Sequence, residues 1–360
     1  HHLFYKMCKK RGIKILMLNH ANWKKLCYIS QKRHKIDNVY ELKQTNNQSV
    51  SFKEIQNLFE ESRVSKHHKK FYDEQKNSQI TLIKAAIKFL FSKNNNNKTH
   101  YTYFGRNRFK VLIKECQDKT KKNSRKKFID KKLLKQITNK ENFVYLPLHQ
   151  EPERSLLIAA PKFSDQVYTI KQISKNLPKD YQLYVKEHPT QGPGRNWREL
   201  SFYKEIMKLE NVKLFHPDFD SKLLLDNCKL VISVGGTSSF EAAFFGKPSL
   251  IFADLGYKIM PSIKKLNSYL ELKQGIIDSL KIQVNPKDVI NYITMLEENS
   301  FEFDVLNFEI KYQNTFYMNG NLVDVKFNEG VMKEFLIENK DELEVVITEF
   351  IKKIYQFKNN

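Results

Sequence analysis

The stretch from Phe143 to Phe252 constrains this chain most, because short apolar runs alternate there with amphipathic segments along its whole length. Residues 143–148, 182–187, 211–215, 229–234 and 248–252 read as strands. Between them, 165–177, 197–209, 221–227 and 238–245 read as helices, and Val167, Ile170, Ile173 and Leu177 fall on one face of the first. Strands that are apolar on both faces and alternate with helices predict a parallel sheet covered on both sides. The fold class is therefore α/β.

The first 140 residues carry a weaker pattern. Residues 3–10 read as a helix, Gly12 as its stop, and 13–18 as a strand. A doubly wound domain opens on a strand, so further sequence is expected before His1. Helices are expected at 52–61 and at 80–92, the second with Ile83, Ala86, Ile87 and Leu90 on one face. Residues 94–98 read as a loop, and 119–135 as a strongly basic solvated helix or linker. Beyond Asp278 a strand is expected at 323–327 and an amphipathic helix at 341–357. The change in pattern divides the chain into residues 1–140 and 141–360. No run approaches the ~18 apolar residues that a membrane span needs, and no secretory signal is recognisable at the start.

The formal charge is +22, from 62 Lys and Arg against 40 Asp and Glu. Only nine of the basic residues are Arg, whereas a reader of nucleic acid relies on Arg for bidentate contacts. Nucleic acid is therefore not an expected partner. Biased composition accounts for the excess of Lys, and attraction to anionic sugar nucleotides, glycans or the inner leaflet is the functional alternative. Cys8, Cys27, Cys116 and Cys228 are scattered, with no pair at metal-binding spacing. That usage reads as reduced, cytoplasmic and without structural zinc.

Three segments end strands of the α/β region and carry polar chemistry. In VISVGGTSSFEAAFFGKP a buried strand runs into Gly235 and Gly236, then Thr237, Ser238 and Ser239, then a helix. Glycines let a ligand come close, and the first helical turn offers N–H groups and a positive dipole end to phosphate. The hydroxyls serve either as helix caps or as phosphate ligands. Glu241, one turn in, is placed for ribose hydroxyls. YVKEHP brings Lys186, Glu187, His188 and Pro189 to the same sheet edge, where a histidine can donate to phosphate or a leaving oxygen. PLHQEPE puts His149, Gln150 and Glu153 at the end of the first strand, either as cleft residues or as a proline-fixed turn. Arg195, in GPGRNW, is either an anion clamp or a solvated loop residue.

In this order, PLHQEPE, YVKEHP, NVKLF, VGGTSSFEAAFFGKP and MPSIKK resemble the capsule polysaccharide biosynthesis family. That family is similar to transferases that use CMP-activated acidic sugars, Kdo and sialic acids. The resemblance covers roughly 143–266. It implies a GT-B fold, two Rossmann-like domains facing across a cleft, with the first incomplete at its N-terminus. Residues 1–140 would then be the acceptor side, and 141–360 the nucleotide-sugar side with a helical tail. It further implies transfer without a metal or cofactor, and His188-Pro189 and Ser238-Ser239 contacting the CMP part of the donor. His188 and Glu187 are the catalytic candidates. The donor site is Lys186, His188, Pro189, Gly235, Gly236, Thr237, Ser238, Ser239 and Glu241. His149, Gln150, Glu153 and Arg195 are the cleft candidates. The acidic base that such enzymes take from the first domain has no recognisable counterpart in 12–140. The expected partners are a nucleotide-sugar donor and a glycan or lipid-linked acceptor, with the protein cytoplasmic or peripheral on the inner membrane face. The rival readings are a nucleotide-sugar epimerase of the same architecture, and a non-catalytic polysaccharide biosynthesis or export component.

Overall fold

The computed structural model describes residues 2–43, 49–62, 79–91, 107–137, 141–153, 155–194, 197–318 and 328–358. Among them are nine strands: β1 (Met17–His20), β2 (Leu26–Ser30), β3 (Asn142–Pro147), β4 (Tyr181–Lys186), β5 (Val212–Phe215), β6 (Leu230–Ser233), β7 (Ser249–Ile251), β8 (Ile263–Lys265) and β9 (Phe301–Glu302). The chain forms two compact units. One gathers residues 1–15, 34–61 and 121–298, and the other 16–33, 62–120 and 299–360.

The first unit is a mixed α/β structure built on a six-stranded parallel sheet in the order β5-β4-β3-β6-β7-β8. The chain thus builds outward from β3 in one direction through β4 and β5. It then returns to the other side of β3 and builds outward through β6, β7 and β8. Helices connect most of these parallel strands, as parallel pairing requires. The strands are buried to match: every residue of β6 and β7 and Phe143 to Leu146 of β3 are shielded from solvent. Phe143, Tyr184 and Phe215 stack across β3, β4 and β5, with centroids 4.0 and 4.8 Å apart.

The helices begin and end where local chemistry directs. Asp165 caps the helix Gln166–Asn176 by accepting from the Tyr168 N–H at 2.9 Å, and Asp220 caps Ser221–Asn227 through the Lys222 N–H. Ser238–Phe244 is stopped by Gly246, whose φ is +66°. The Gly246 and Lys247 N–H groups bond back to Ala243 and Ala242. Gly12, at φ +69°, closes the helix His2–Lys10 in the same way. One helix is shorter than its periodicity suggests. It runs Leu200–Ile206 rather than from 197, because Trp197 is held left-handed at φ +38° and buried against Gly192.

The second unit has an antiparallel sheet in the order β1-β2-β9. The first strand begins at Met17 and not at 13, because the Ile13 N–H is still engaged with the Cys8 carbonyl. Burial pushes the Cys27 thiol up to about 12, with the Asp304 charge adding to the effect. The helices Val305–Tyr317 and Glu329–Glu338 meet around Phe335, which contacts the rings of Phe308, Tyr312 and Phe316. Gln79–Phe91 and Lys340–Lys358 form as the periodicity predicts, as does Phe52–Ser62 in the first unit. The basic run at 119–135 lies largely within the helix Arg108–Lys132. The loop at 94–98 and the strand at 323–327 fall outside the described residues. No helix among the described residues is long and apolar enough to cross a membrane.

Gly246→Ala should lower the urea midpoint without changing the slope. A Cβ there would sit in left-handed backbone, 3.1 Å from the Phe52 ring, and left-handed conformation alone costs about 1–2 kcal/mol for an L-residue. An unchanged midpoint would show that this helix end is not fixed by Gly246.

Candidate functional site

The order of strand addition reverses between β3 and β6, and the loops that leave their carboxyl ends carry two of the three motifs. In an open α/β sheet this is where ligands bind. His149, at the end of β3, is 6% exposed and reaches the glycine loop that follows β6. Its Nε2 accepts the Gly235 N–H at 3.2 Å and lies 3.4 Å from Ser233 Oγ. The ring proton therefore sits on Nδ1, 3.0 Å from the Glu153 carboxylate. Both ring nitrogens are spent inside the protein, so His149 fastens the two loops and is not free to act on a ligand.

The glycines serve this packing as well. A Cβ on Gly235 would stand 2.7 Å from Ala253 Cβ. One on Gly236 would stand 3.1 Å from Ser233 Oγ and 3.4 Å from His149 Cε1. The Gly236 N–H donates to Ser233 Oγ at 2.8 Å, and its carbonyl accepts from Tyr257 Oη at 2.7 Å. Beyond them the hydroxyls diverge. Thr237 is exposed and donates to Glu241 at 3.0 Å, and Ser238 is half-buried. Ser239 was expected to reach the ligand, but it is 0% exposed and its carbonyl accepts from Ser249 Oγ, so it faces the core. Thr237 makes no side-chain cap bond to the helix.

Glu187, at the end of β4, is 1% exposed. Its carboxylate accepts from the His188 N–H at 2.6 Å, Tyr203 Oη at 2.6 Å, Arg198 Nε at 2.9 Å and Arg198 Nη2 at 3.2 Å. Such a carboxylate has no oxygen left for acid–base work, which corrects its expected catalytic role: it is an anchor. Arg198 also pairs with Glu151 at 2.5 Å and donates to the His149 carbonyl. Burial works against the Arg198 charge, but Glu187 and then Glu151 outweigh it and hold the guanidinium above its ordinary pKa. Burial and Glu187 raise the Tyr203 phenol.

Two side-chain amides complete the frame. Gln166 accepts from the His149 N–H at 2.8 Å and donates to its carbonyl at 3.2 Å. Gln191 does the same for Glu151, at 2.8 and 3.3 Å. Each takes the place of a neighbouring strand for a backbone that has left the sheet. Gln150 ties the first loop to the second by donating to the Thr190 carbonyl at 3.1 Å.

His188 stands in this frame with its Nδ1 accepting the Thr190 N–H at 3.2 Å, which leaves the neutral ring's proton on Nε2. Burial lowers its pKa to about 4. Glu153 opposes the shift, and His149, Lys186 and Arg198 reinforce it. Lys186 itself is buried, and Pro189 is exposed. Arg195 lies outside the described residues. Beside these loops a groove of about 660 Å³ is walled by Pro152, Leu156, Val167, Trp197 and Phe202 and rimmed by Glu153, Asp165 and Glu199.

Residues 38–260, well over half of the chain, match the family model described as capsule polysaccharide biosynthesis protein. The chain belongs to that family. No curated protein matches it. Among solved structures, the capsule family member is similar to KpsC of Thermosulfurimonas dismutans, a beta Kdo 2,7 transferase. Identity is 11% over 62% of this chain and 56% of that one, with a TM-score of 0.32. The UDP-GlcNAc 2-epimerase of Methanocaldococcus jannaschii matches at 14% identity over 53% and 52%, TM-score 0.32. That of Neisseria meningitidis bound to UDP-GlcNAc matches at 14% over 45% and 44%, TM-score 0.30. The chain spans about half the length of the structures it matches.

The sequence reading passed over Arg198, Tyr203, Gln166, Gln191 and Tyr257. Arg198 lies three residues from Arg195, and nothing in the local pattern separates a buried arginine from a solvated one. In the capsule family protein, the His188 shift couples stability to pH. The folded state keeps the ring neutral down to about 4, whereas the unfolded ring protonates near the ordinary value of 6.5. Stability is therefore full above 6.5 and falls as the pH drops toward 4, by at most about 1.4 kcal/mol per pH unit for one proton. His188→Gln should flatten that part of the profile in denaturant titrations, and an identical profile would refute the assignment. Arg198→Ala should cost about 3–5 kcal/mol in the same titrations, because it strands the Glu187 charge in the interior.

Proposed function

We propose that this chain is a glycosyltransferase of capsule or surface polysaccharide synthesis, of the GT-B type. It takes a sugar from a nucleotide-activated donor and passes it to a growing glycan or lipid-linked acceptor. The donor we favour is a CMP-linked acidic sugar such as Kdo or a sialic acid. One observation carries the reading: in a member of this family, the His188 loop and the Gly235 loop are pinned together, through His149 and Arg198, at the switch point of a parallel sheet. The groove nearby is lined by Glu151, Glu153, Asp165 and Glu199, with Arg198 as the one basic residue among the described lining residues, a balance that disfavours phosphate. The phosphates are therefore assigned to the switch point, against His188, Thr237 and Ser238.

In this reading the acceptor hydroxyl attacks the anomeric carbon with inversion while the bond to the phosphate oxygen breaks. Negative charge gathers on the departing phosphate. His188, neutral with its proton on Nε2, donates to it, and the buried Lys186 contributes positive charge; the stabilisation is electrostatic and acts at the leaving group. Thr237 and Ser238 hold phosphate oxygens, and no metal takes part. The base that receives the acceptor proton lies outside this set, since Glu187 is saturated and Glu153 is engaged with His149.

A thermal-shift panel of CMP, UDP, CDP and GDP tests the reading, because a ligand that binds only the folded state raises the melting temperature by mass action. CMP should stand out. His188→Ala should weaken that binding roughly ten- to a hundredfold, the worth of a hydrogen bond to a charged group. Ser238→Ala should lose less, since Thr237 remains. Undiminished affinity in His188→Ala would sink the site, and binding without sugar transfer would favour the non-catalytic alternative.

A further inference from the structure

The helix Gln79–Phe91 leaves most of its apolar side chains in solvent, Leu82 on the Ala85 side included. An amphipathic helix normally hides its apolar stripe. Here Ile80, Ile83, Ile87 and Phe91, which share one face at helical spacing, are between 52% and 79% exposed, and the buried residue is Ala85 on the other side. Lys84 and Lys88 border the exposed stripe and are exposed themselves. The helix has no acidic residue. Its last turn is tied to the start of Arg108–Lys132, where Arg108 donates to the Leu90 carbonyl at 3.0 Å and lies over the Phe89 ring. At that start Phe109 and Ile113 are exposed, one turn apart, with Lys110 beside them.

We propose that this surface seats the protein on an anionic lipid bilayer. An apolar row edged by lysines is the pattern of a helix lying in the membrane interface. The row enters the acyl boundary, and the lysine stems lie along it with their charges among the headgroups. Charge selects lipid over a protein partner. The helix Lys340–Lys358 also exposes Ile347, Ile351 and Ile354, but Asp341, Glu342, Glu344 and Glu349 accompany its lysines, so it has no preference for an anionic surface. Gln79–Phe91 carries only positive charge, in a chain whose formal charge is +22.

Co-sedimentation of the full chain with vesicles tests this. It should bind vesicles of phosphatidylcholine and phosphatidylglycerol in equal parts, bind phosphatidylcholine alone far more weakly, and release as salt rises. Lys84→Gln with Lys88→Gln should reduce partitioning roughly twentyfold or more, from about 1 kcal/mol per lysine near such a surface. Ile83→Ser with Ile87→Ser should abolish it. Both variants should unfold at the parent's midpoint, because the residues are exposed, and should keep the parent's nucleotide affinity. Three results would overturn the proposal: no binding of the full chain to the anionic vesicles, equal binding by parent and variants, or self-association without lipid that the isoleucine variant removes.

Discussion

Glu187 is a carboxylate carried into the interior by the strand that bears it, and an unpaired charge there would cost several kcal/mol. Arg198 answers that charge, and the site depends on how it does so. A guanidinium presents five donors in a fixed fork. Two of its nitrogens meet Glu187, and the fork extends to Glu151 and the His149 carbonyl. One ion pair thereby fixes the loop after β3, the loop after β4 and the turn that carries Arg198. A lysine could neutralise the charge without setting the geometry.

The loop after β6 is held by a different device. His149 accepts the Gly235 N–H at Nε2 and hydrogen-bonds Glu153 through Nδ1, so one ring links the two strands that flank the switch point. Gly235 is needed because Ala253 occupies the space a side chain would fill, and a Cβ on Gly236 would crowd Ser233 Oγ. His188 is left as the histidine with an engaged Nδ1 and a proton on Nε2, in surroundings where burial and neighbouring cations disfavour protonation. His188 therefore offers a neutral donor, its Nε2–H, at a strand end. In its setting Glu187 is suited only to holding the frame.

Much of the fold could be read from the residues. Apart from the shortened helix Leu200–Ile206, the strands and helices between Phe143 and Phe252 appear where the apolar runs and the stop at Gly246 place them. Periodicity is a local property, and both faces of these strands are buried. The three motifs were legible for the same reason, since each follows a strand and a parallel sheet sends every strand end to one edge. Trp197 breaks the pattern because a ring packed on Gly192 outweighs helical spacing.

The sequence by itself determined the α/β class, the parallel sheet and the gathering of His149, His188 and the Gly235 loop at one edge, because short-range alternation dictates all three. Only the tertiary structure decided which of those groups face outward. Ser239 and Glu187 turn into the interior, His149 is consumed by the frame, and Arg198 carries the buried charge network. The hydrophobic row of Gln79–Phe91 was legible as a helix, yet the sequence assigned that row no side. Spacing along a chain sets which side chains share a face. Which face is covered depends on what distant segments pack against it, and that is settled only by contacts the sequence does not order.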